Sequence, residues 1–524
     1  MAHRERISGV DTAWLRMDHP TNLMMIIGVW MFEGKLDLRT VKRTIESRFL
    51  AFRRFRQKAV QDATGTWWED DDDFDIDSHV QRVALPGKRG KRELETLTSD
   101  LASTPLDATK PLWHFYVVED YNGGSALIMR IHHCYADGIA LVQVVLSMTH
   151  TSAKGSLAIV HETPEVPEPQ GDRDFWEQLL KPVSGALETA VRAGRSLLEQ
   201  GKDLVAHPET AQGVAMDATR KGVDFASEVA KLLTMKSDSV TRFKGPLGVR
   251  KRTAWAEPLP LGEVKVLGKA LGCSINDVLL AMASGALREY LVANGDPVDG
   301  IEFRGMVPVN LRPAGDAKNL GNHFGLVFLE LPVGVEHPLE RLYEIRRRMR
   351  ELKGSYQPLI ALGILSAVGY GPRVLQDQVT QLLSSNGSAV MTNVPGPQHA
   401  LFFAGKNITE LEFWVPQSGG IGMGISILSY NGRIHFGVIT DEGLVPDPGR
   451  IVELFQREFD KLMWLTLMSP WGIDIEALSP QWQEVAKTAA GKPTARRKMA
   501  QASVEPVQAS RKAPGKIPKR FRSL

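Results

Sequence analysis

The sequence predicts an α/β fold of two domains joined by a helical connecting segment. Three observations predict it. Strand-like and helix-like runs alternate up to about residue 155, the character of the chain changes until about residue 244, and the alternation then resumes to about residue 486. A chain of 524 residues exceeds what one hydrophobic core ordinarily organises, so division into domains is the expected solution.

Within residues 1–155, the stretches 23–32, 113–118 and 126–131 are rich in β-branched, aromatic and aliphatic residues and read as strands, whereas 38–52 and 139–150 carry helical spacing. Residues 156–244 open with Thr163-Pro164-Glu165-Val166-Pro167-Glu168-Pro169, which cannot sustain a strand ladder. Phe175, Leu179, Val183, Leu187 and Val191 follow at nearly four-residue spacing, and 223–233 repeats the habit. Such a stripe packs on the protein's own core or, less expectedly, lies on a membrane surface. In residues 245–486 a helix is expected over 275–291 and strands over 305–309, 324–331 and 422–429. Residues 487–524 carry eleven Lys and Arg against Glu505 alone and have little to bury, so they predict a basic disordered tail.

Composition narrows the function. With 43% hydrophobic and 24% charged residues, the chain has the mix of a soluble globular protein. The net charge is +2, and because the basic excess sits in the tail, the remainder is acidic and no specific nucleic-acid surface is expected. Cys134 and Cys273 are far apart, which gives neither a disulfide framework nor a zinc-type spacing and fits a reducing, cytoplasmic compartment. The charged N-terminus is not followed by the apolar core of a secretory signal, and the apolar run 23–32 is too short to cross a bilayer.

The string that carries chemistry is Ile131-His132-His133-Cys134-Tyr135-Ala136-Asp137-Gly138, between a predicted strand and a predicted helix. Loops at such junctions aim side chains into clefts from a rigid scaffold. Adjacent residues on an extended segment point to opposite sides, so one histidine faces a substrate while the other packs inward or bonds the backbone. His133 is expected to be the base and His132 the inward partner. Asp137 is expected to hold the loop, and Gly138 to relieve crowding where the helix begins. Cys134 invites a nucleophilic role, but beside a histidine at a strand end it is expected to point away from it.

In the second block, Ser274-Ile275-Asn276-Asp277 opens the predicted helix. Asn276 reads equally as a helix cap or as an amide donor to an oxyanion, and Asp277 as support for the helix start or for Asn276. His323 and His435 lie in strand-like runs and read as structural, and residues 359–365 read as a core helix or the wall of an apolar tunnel.

The first string resembles the HHxxxDG motif of the CoA-dependent acyltransferases, a superfamily that includes chloramphenicol acetyltransferase, carnitine acyltransferases and peptide-synthetase condensation domains. Pro111-Leu112-Trp113, Gly245-Pro246-Leu247 with Arg250-Lys251-Arg252, Ser274 to Leu279, and Met391-Thr392-Asn393-Val394-Pro395-Gly396-Pro397 are similar to motifs of the bacterial wax ester synthase/diacylglycerol acyltransferase family. The resemblance spans roughly residues 5–480; residues 18–24 follow it loosely, and the tail lies outside it. It implies two chloramphenicol-acetyltransferase-like domains about a cleft entered from opposite faces by acyl-CoA, as cosubstrate, and a long-chain alcohol or diacylglycerol. No tightly bound cofactor and no metal is expected. It also implies a place at the inner face of the membrane or on lipid inclusions, held there peripherally.

The chemistry agrees with that resemblance. A neutral hydroxyl is a poor nucleophile, and a base beside it contributes about 10² to 10⁴ in rate. Two alternatives remain open at this point: a related enzyme using another hydroxyl acceptor or a carrier-protein thioester, and a non-catalytic coat of membranes or lipid droplets.

Overall fold

Met-Ile-Ile-Gly-Val-Trp-Met-Phe, strand β2 (Met25–Phe32), buries every residue, and so does β7 (Gly124–His132). Continuous apolar runs of this kind belong to strands covered on both faces. The two pair antiparallel with Met25 opposite His132. Alternate side chains then feed two cores: Ile26, Trp30, Met129 and Ile131 on one side, and Met25, Ile27, Val29 and Ile128 on the other. The structure, a computed structural model, describes residues 4–136, 138–159, 235, 237–301, 303–310, 324–352, 357, 384–417 and 419–468. The Pro/Glu-rich stretch, the stripe from 175, the stretches 223–233 and 359–365, His323 and the basic tail lie outside the described residues.

Among the described residues the strands form three sheets. The first has the order β13 (Phe402–Phe403), β14 (Lys406–Trp414), β2, β7, β6 (Trp113–Tyr121), β5 (Val80–Val83). The second has the order β11 (Phe324–Leu331), β10 (Phe303–Asn310), β12 (Ala389–Pro395), β15 (Met423–Tyr430), β16 (Arg433–Asp441), β8 (Lys251–Trp255), with β9 (Leu259–Pro260) also on β16. A small sheet joins β1 (Arg4–Arg6), β4 (Gly65–Asp70) and β3 (Gln57–Asp62).

Residues 402–414 lie in sequence within the 245–486 block. They leave the second sheet and extend the first, where Trp414 pairs with Ile27 and Glu412 with Val29. The exchange covers an edge of β2 that would otherwise expose unpaired backbone groups. Helical spacing over 38–52 overreaches. The α-helix is α2 (Leu38–Thr44), followed by a π-helical turn (Ile45–Phe49) and a 3-10 turn (Arg53–Arg56), a sequence that stacks Phe49 on Phe55 with ring centroids 4.0 Å apart.

Helix α3 (Lys91–Ala102) fastens the two sheets together. Thr253 N donates to Ser99 Oγ at 2.9 Å and Lys251 N to Ser103 Oγ at 2.8 Å, so the first backbone amides of β8 are capped by a helix from the other half. In the Gly245 to Arg252 segment, the Lys251 ammonium is buried against Asp441, which also accepts from Gly248 N at 2.9 Å. That motif is therefore an anchor for β8. On the second sheet, α5 (Leu261–Ala270) leads into α6 (Ile275–Ala293), which packs against α7 (Pro338–Leu352) and α8 (Pro448–Met468). Arg341 and Glu458, both buried, pair across α7 and α8, and Gly285 of α6 leaves them room, since a Cβ there would strike Glu458. No single described helix is long and apolar enough to cross a membrane.

Candidate functional site

The chain leaves β7 through two successive backbone bonds to different neighbours. His132 N donates to Leu112 O at 2.9 Å, and His133 N donates to Met24 O at 2.8 Å. His132 Nδ1 accepts from Cys134 N at 3.1 Å, so the neutral ring carries its proton on Nε2, which lies 3.8 Å from Asp18 Oδ1. The same carboxylate oxygen accepts from Met24 N at 2.6 Å. His132 is thus built into the loop, closing its turn and linking it to residues 18–24.

His133 is 4% exposed and stacks on Trp14 of α1 (Gly9–Met17), with ring centroids 4.0 Å apart at 27°. The stack and the backbone bond to Met24 fix the direction of the imidazole. Cys134 has no exposed surface, belongs to the apolar core, and has its thiol pushed well above the usual range by burial, with Asp11 and Asp18 adding to the shift. Tyr135 holds the loop from below: its hydroxyl accepts from Leu112 N at 2.9 Å and donates to Gln57 O at 2.9 Å, while its ring stacks on Trp68. The Pro111-Leu112-Trp113 motif thereby acquires a physical role, because Leu112 bonds both His132 and Tyr135 through its backbone. Gly138 opens helix α4 (Gly138–Ser147); Asp137 lies outside the described residues.

One face further along β7, Arg130 is buried, donates to Thr104 O, and reaches the Tyr116 hydroxyl at 3.2 Å. Burial, reinforced by the Arg130 charge, pushes the His114 pKa down to about 4, so that ring stays neutral.

In the second half, Ser274 and Asp277 form a capping box. Ser274 Oγ accepts from Asp277 N at 3.1 Å, and the Asp277 carboxylate accepts from Ser274 N at 2.8 Å. Asp277 is occupied with the helix start. Asn276 points elsewhere: its Oδ1 accepts from Asn393 Nδ2 at 2.8 Å, which joins two separate sequence motifs and leaves the Asn276 NH2 as the end it can offer. Both amides line a pocket of about 490 Å³, counting its open mouth, whose other walls include Leu280, Val307, Leu329 and Met391. The Pro395-Gly396-Pro397 turn fixes Asn393. Gly396 N donates to Ser429 O at 2.9 Å, and a Cβ on Gly396 would approach that same oxygen to 2.5 Å.

One apolar cluster connects the two regions. It includes Trp14, Cys134, Tyr135 and Ala136 beneath the histidine loop, with Val394 and Leu326 from the second sheet packed against it. Motif reading did not give Trp14, Asp18 or Asn393 as partners of the site. Asn393 stood in a quoted string without a role, and nothing local in the sequence marks a lone Trp or Asp as the neighbour of a distant histidine. His435 sits in β16 with Nδ1 3.5 Å from Glu412 Oε1 of β14, both side chains buried, so it ties the exchanged strand to the second sheet. Burial raises the Glu412 pKa.

The model of the wax ester synthase/diacylglycerol acyltransferase catalytic domain matches residues 7–279, and that of the WS/DGAT C-terminal domain matches residues 320–463. A probable diacylglycerol O-acyltransferase of Mycobacterium tuberculosis is 28% identical over 390 residues, 73% of this chain and 78% of that protein. O-acyltransferase WSD of Acinetobacter baylyi is 27% identical over 403 residues, 75% of this chain and 82% of that protein. Among solved structures, the wax ester synthase/diacylglycerol acyltransferase of Marinobacter aquaeolei aligns over 88% of this chain and all of that one, with a TM-score of 0.60 at 19% identity. The first condensation domain of the calcium-dependent antibiotic synthetase aligns over 88% of this chain and 96% of that one, with a TM-score of 0.53 at 14% identity. These likenesses show the two-domain α/β fold.

Proposed function

Since this chain belongs to the wax ester synthase/diacylglycerol acyltransferase family and is an O-acyltransferase, we propose that His133 is the base through which it moves a long-chain acyl group from acyl-CoA to a fatty alcohol or diacylglycerol. The observation that carries this reading is the fixation of His133, with its backbone on Met24, its ring on Trp14 and its neighbour His132 committed to the loop. A base held in one direction needs no reorganisation when the hydroxyl arrives.

In this scheme neutral His133 takes the hydroxyl proton as the alcohol oxygen attacks the thioester carbonyl. The tetrahedral oxyanion accepts a hydrogen bond from the Asn276 NH2, a contribution worth about 10² to 10³ in rate in comparable sites. Collapse breaks the carbon–sulfur bond, and the imidazolium returns its proton to the departing CoA thiolate. No acyl-enzyme intervenes. The core position and raised pKa of Cys134 support direct transfer, because a thiol that resists ionisation is a poor nucleophile. Peripheral attachment to a membrane or lipid inclusion belongs to the same proposal, since the acceptors are insoluble in water and the tail is strongly basic.

The deciding experiment incubates the protein with palmitoyl-CoA and either hexadecanol or dioleoylglycerol, following free thiol and neutral lipid. Thiol release that depends on the acceptor, with matching ester, is the expected result. Thiol release without ester, or no release with either acceptor, overturns the proposal.

A further inference from the structure

Arg130 is 2% exposed, and among the described residues no carboxylate reaches it. Its guanidinium donates to Thr104 O, to the Tyr116 hydroxyl at 3.2 Å and to Met25 Sδ at 3.2 Å. Other buried cations of this chain are compensated. Lys251 and Arg341 lie against Asp441 and Glu458, and Arg48 donates to four carbonyl oxygens. A guanidinium does not shed its proton in a protein, so burying one without an anion costs stability and leaves its charge acting on its neighbours. His114, opposite Arg130 on β6, is one such neighbour, and the Arg130 charge adds to burial in keeping its ring neutral.

The place of this charge matters because of what surrounds His133. Asp11 of α1 and Asp18 at its end both act on Cys134, the next residue in the loop, and Arg54, the cation that opposes them there, is paired with Glu5 at 2.8 Å. Burial keeps the Cys134 thiol and the Tyr135 hydroxyl un-ionised, so neither adds charge. Two carboxylates beside a histidine favour its imidazolium, the form that accepts no proton. On the side of Arg130, β2 offers Met25, β6 offers His114 and Tyr116, and Lys110 adds further positive charge at His114. Arg130 stands three positions before His133, about 10 Å along an extended chain. A charge at that separation in a protein interior moves a neighbour's proton affinity by about one pH unit.

We infer that Arg130 is a positioning residue for the transfer, an uncompensated buried charge that offsets Asp11 and Asp18 and holds His133 in its neutral, proton-accepting form. The inference rests on His133 being the base and adds what keeps that base ready at neutral pH. The sign follows from the charge: a nearby cation disfavours the imidazolium, so removing it raises the affinity of His133 for a proton.

The test records kcat/KM against pH for the wild type, Arg130→Met, Arg130→Gln and Arg130→Lys. In parallel the His133 ring is titrated by NMR of histidine-labelled protein, its signal being the one absent from His133→Gln. Loss of the positive charge should move the acid limb of the profile, and the midpoint of the ring with it, upward by about one pH unit, so that activity falls about tenfold below the limb and little above it. Arg130→Lys keeps the charge and should follow the wild-type profile. A purely structural role would instead lower activity equally at every pH and leave the ring midpoint in place. Folded Arg130→Met and Arg130→Gln with a wild-type ring midpoint overturn the inference while leaving acyl transfer standing. A ring midpoint that moves without the limb overturns His133 as the base, while the hold of Arg130 on the ring stands. Failure of both uncharged variants to fold assigns Arg130 to the fold and overturns the inference.

Discussion

Asn393 Nδ2 donates to Asn276 Oδ1 at 2.8 Å, joining the second residue of helix α6 to the C-terminal part of strand β12 across 117 positions of sequence. The bond turns a cap-region asparagine into an oriented amide. Asn276→Ala should therefore lower kcat by about 10² with little loss of helix, because Ser274 and Asp277 retain the cap. Asn393→Ala, which frees the amide without removing it, should cost less, about tenfold. Steady-state kinetics paired with thermal melts check this. A variant at 276 that melts early but turns over normally would assign the residue to capping alone.

His133→Ala should lower turnover by at least about 10² with the fold intact, the expected effect of losing a general base. His132→Ala should act on stability instead, since it deprives the buried Cys134 N–H of its acceptor, a loss of about 1–3 kcal/mol. Circular dichroism melts and turnover measured on the same samples distinguish the two. A stable but inactive His132→Ala would reverse the assignment.

Cys134→Ala should keep most of the activity, because the thiol lies in the apolar core with its ionisation suppressed by burial. Intact-protein mass spectrometry of the wild type during turnover checks the point. An acyl adduct on Cys134 that forms and decays at the turnover rate would establish a covalent route.

Glu95 of α3 accepts from Trp255 N at 3.3 Å at the seam between the sheets, and burial, with Glu412 and Glu257 adding to it, pushes its pKa from 4.5 up to about 7. The folded protein then holds a proton that the unfolded chain releases between these values. This contribution to stability is fully present below about pH 4.5 and is lost as pH rises through about 7. Glu95→Gln keeps an acceptor for Trp255 without the charge, so it should raise the melting temperature at pH 8 by a few degrees and change it little at pH 4.5. Equal effects at both pH values would remove Glu95 from the pH dependence.

Deleting residues 487–524 should weaken sedimentation with anionic liposomes at low salt while sparing transfer to a short, soluble alcohol. Basic residues near an anionic leaflet contribute about 1 kcal/mol each, reduced by salt and incomplete approach. Unchanged binding by the truncated protein would dismiss the tail as the attachment.

The sequence by itself determined the elements and the chemistry. Runs rich in apolar residues marked β2 and β7, β11 was legible to the residue, and the HHxxxDG string stood out because its residues are close in the chain. The expectation that the two adjacent histidines take different roles rests on the alternation of side chains along a strand, a local property.

What only the tertiary structure decided are relations between distant segments. Glu410, Glu412 and Trp414 alternate with apolar residues as on any strand, and nothing local records that β14 joins the first sheet instead of the second. The partners of the site are likewise remote. Trp14 reaches His133 because α1 packs beneath the loop, Asp18 reaches His132 because residues 18–24 lead into β2, and Asn393 reaches Asn276 because β12 ends beside the start of α6. Local periodicity reports which face of an element is buried; which other element covers that face is set by packing of the whole chain, and that packing supplied the site's geometry.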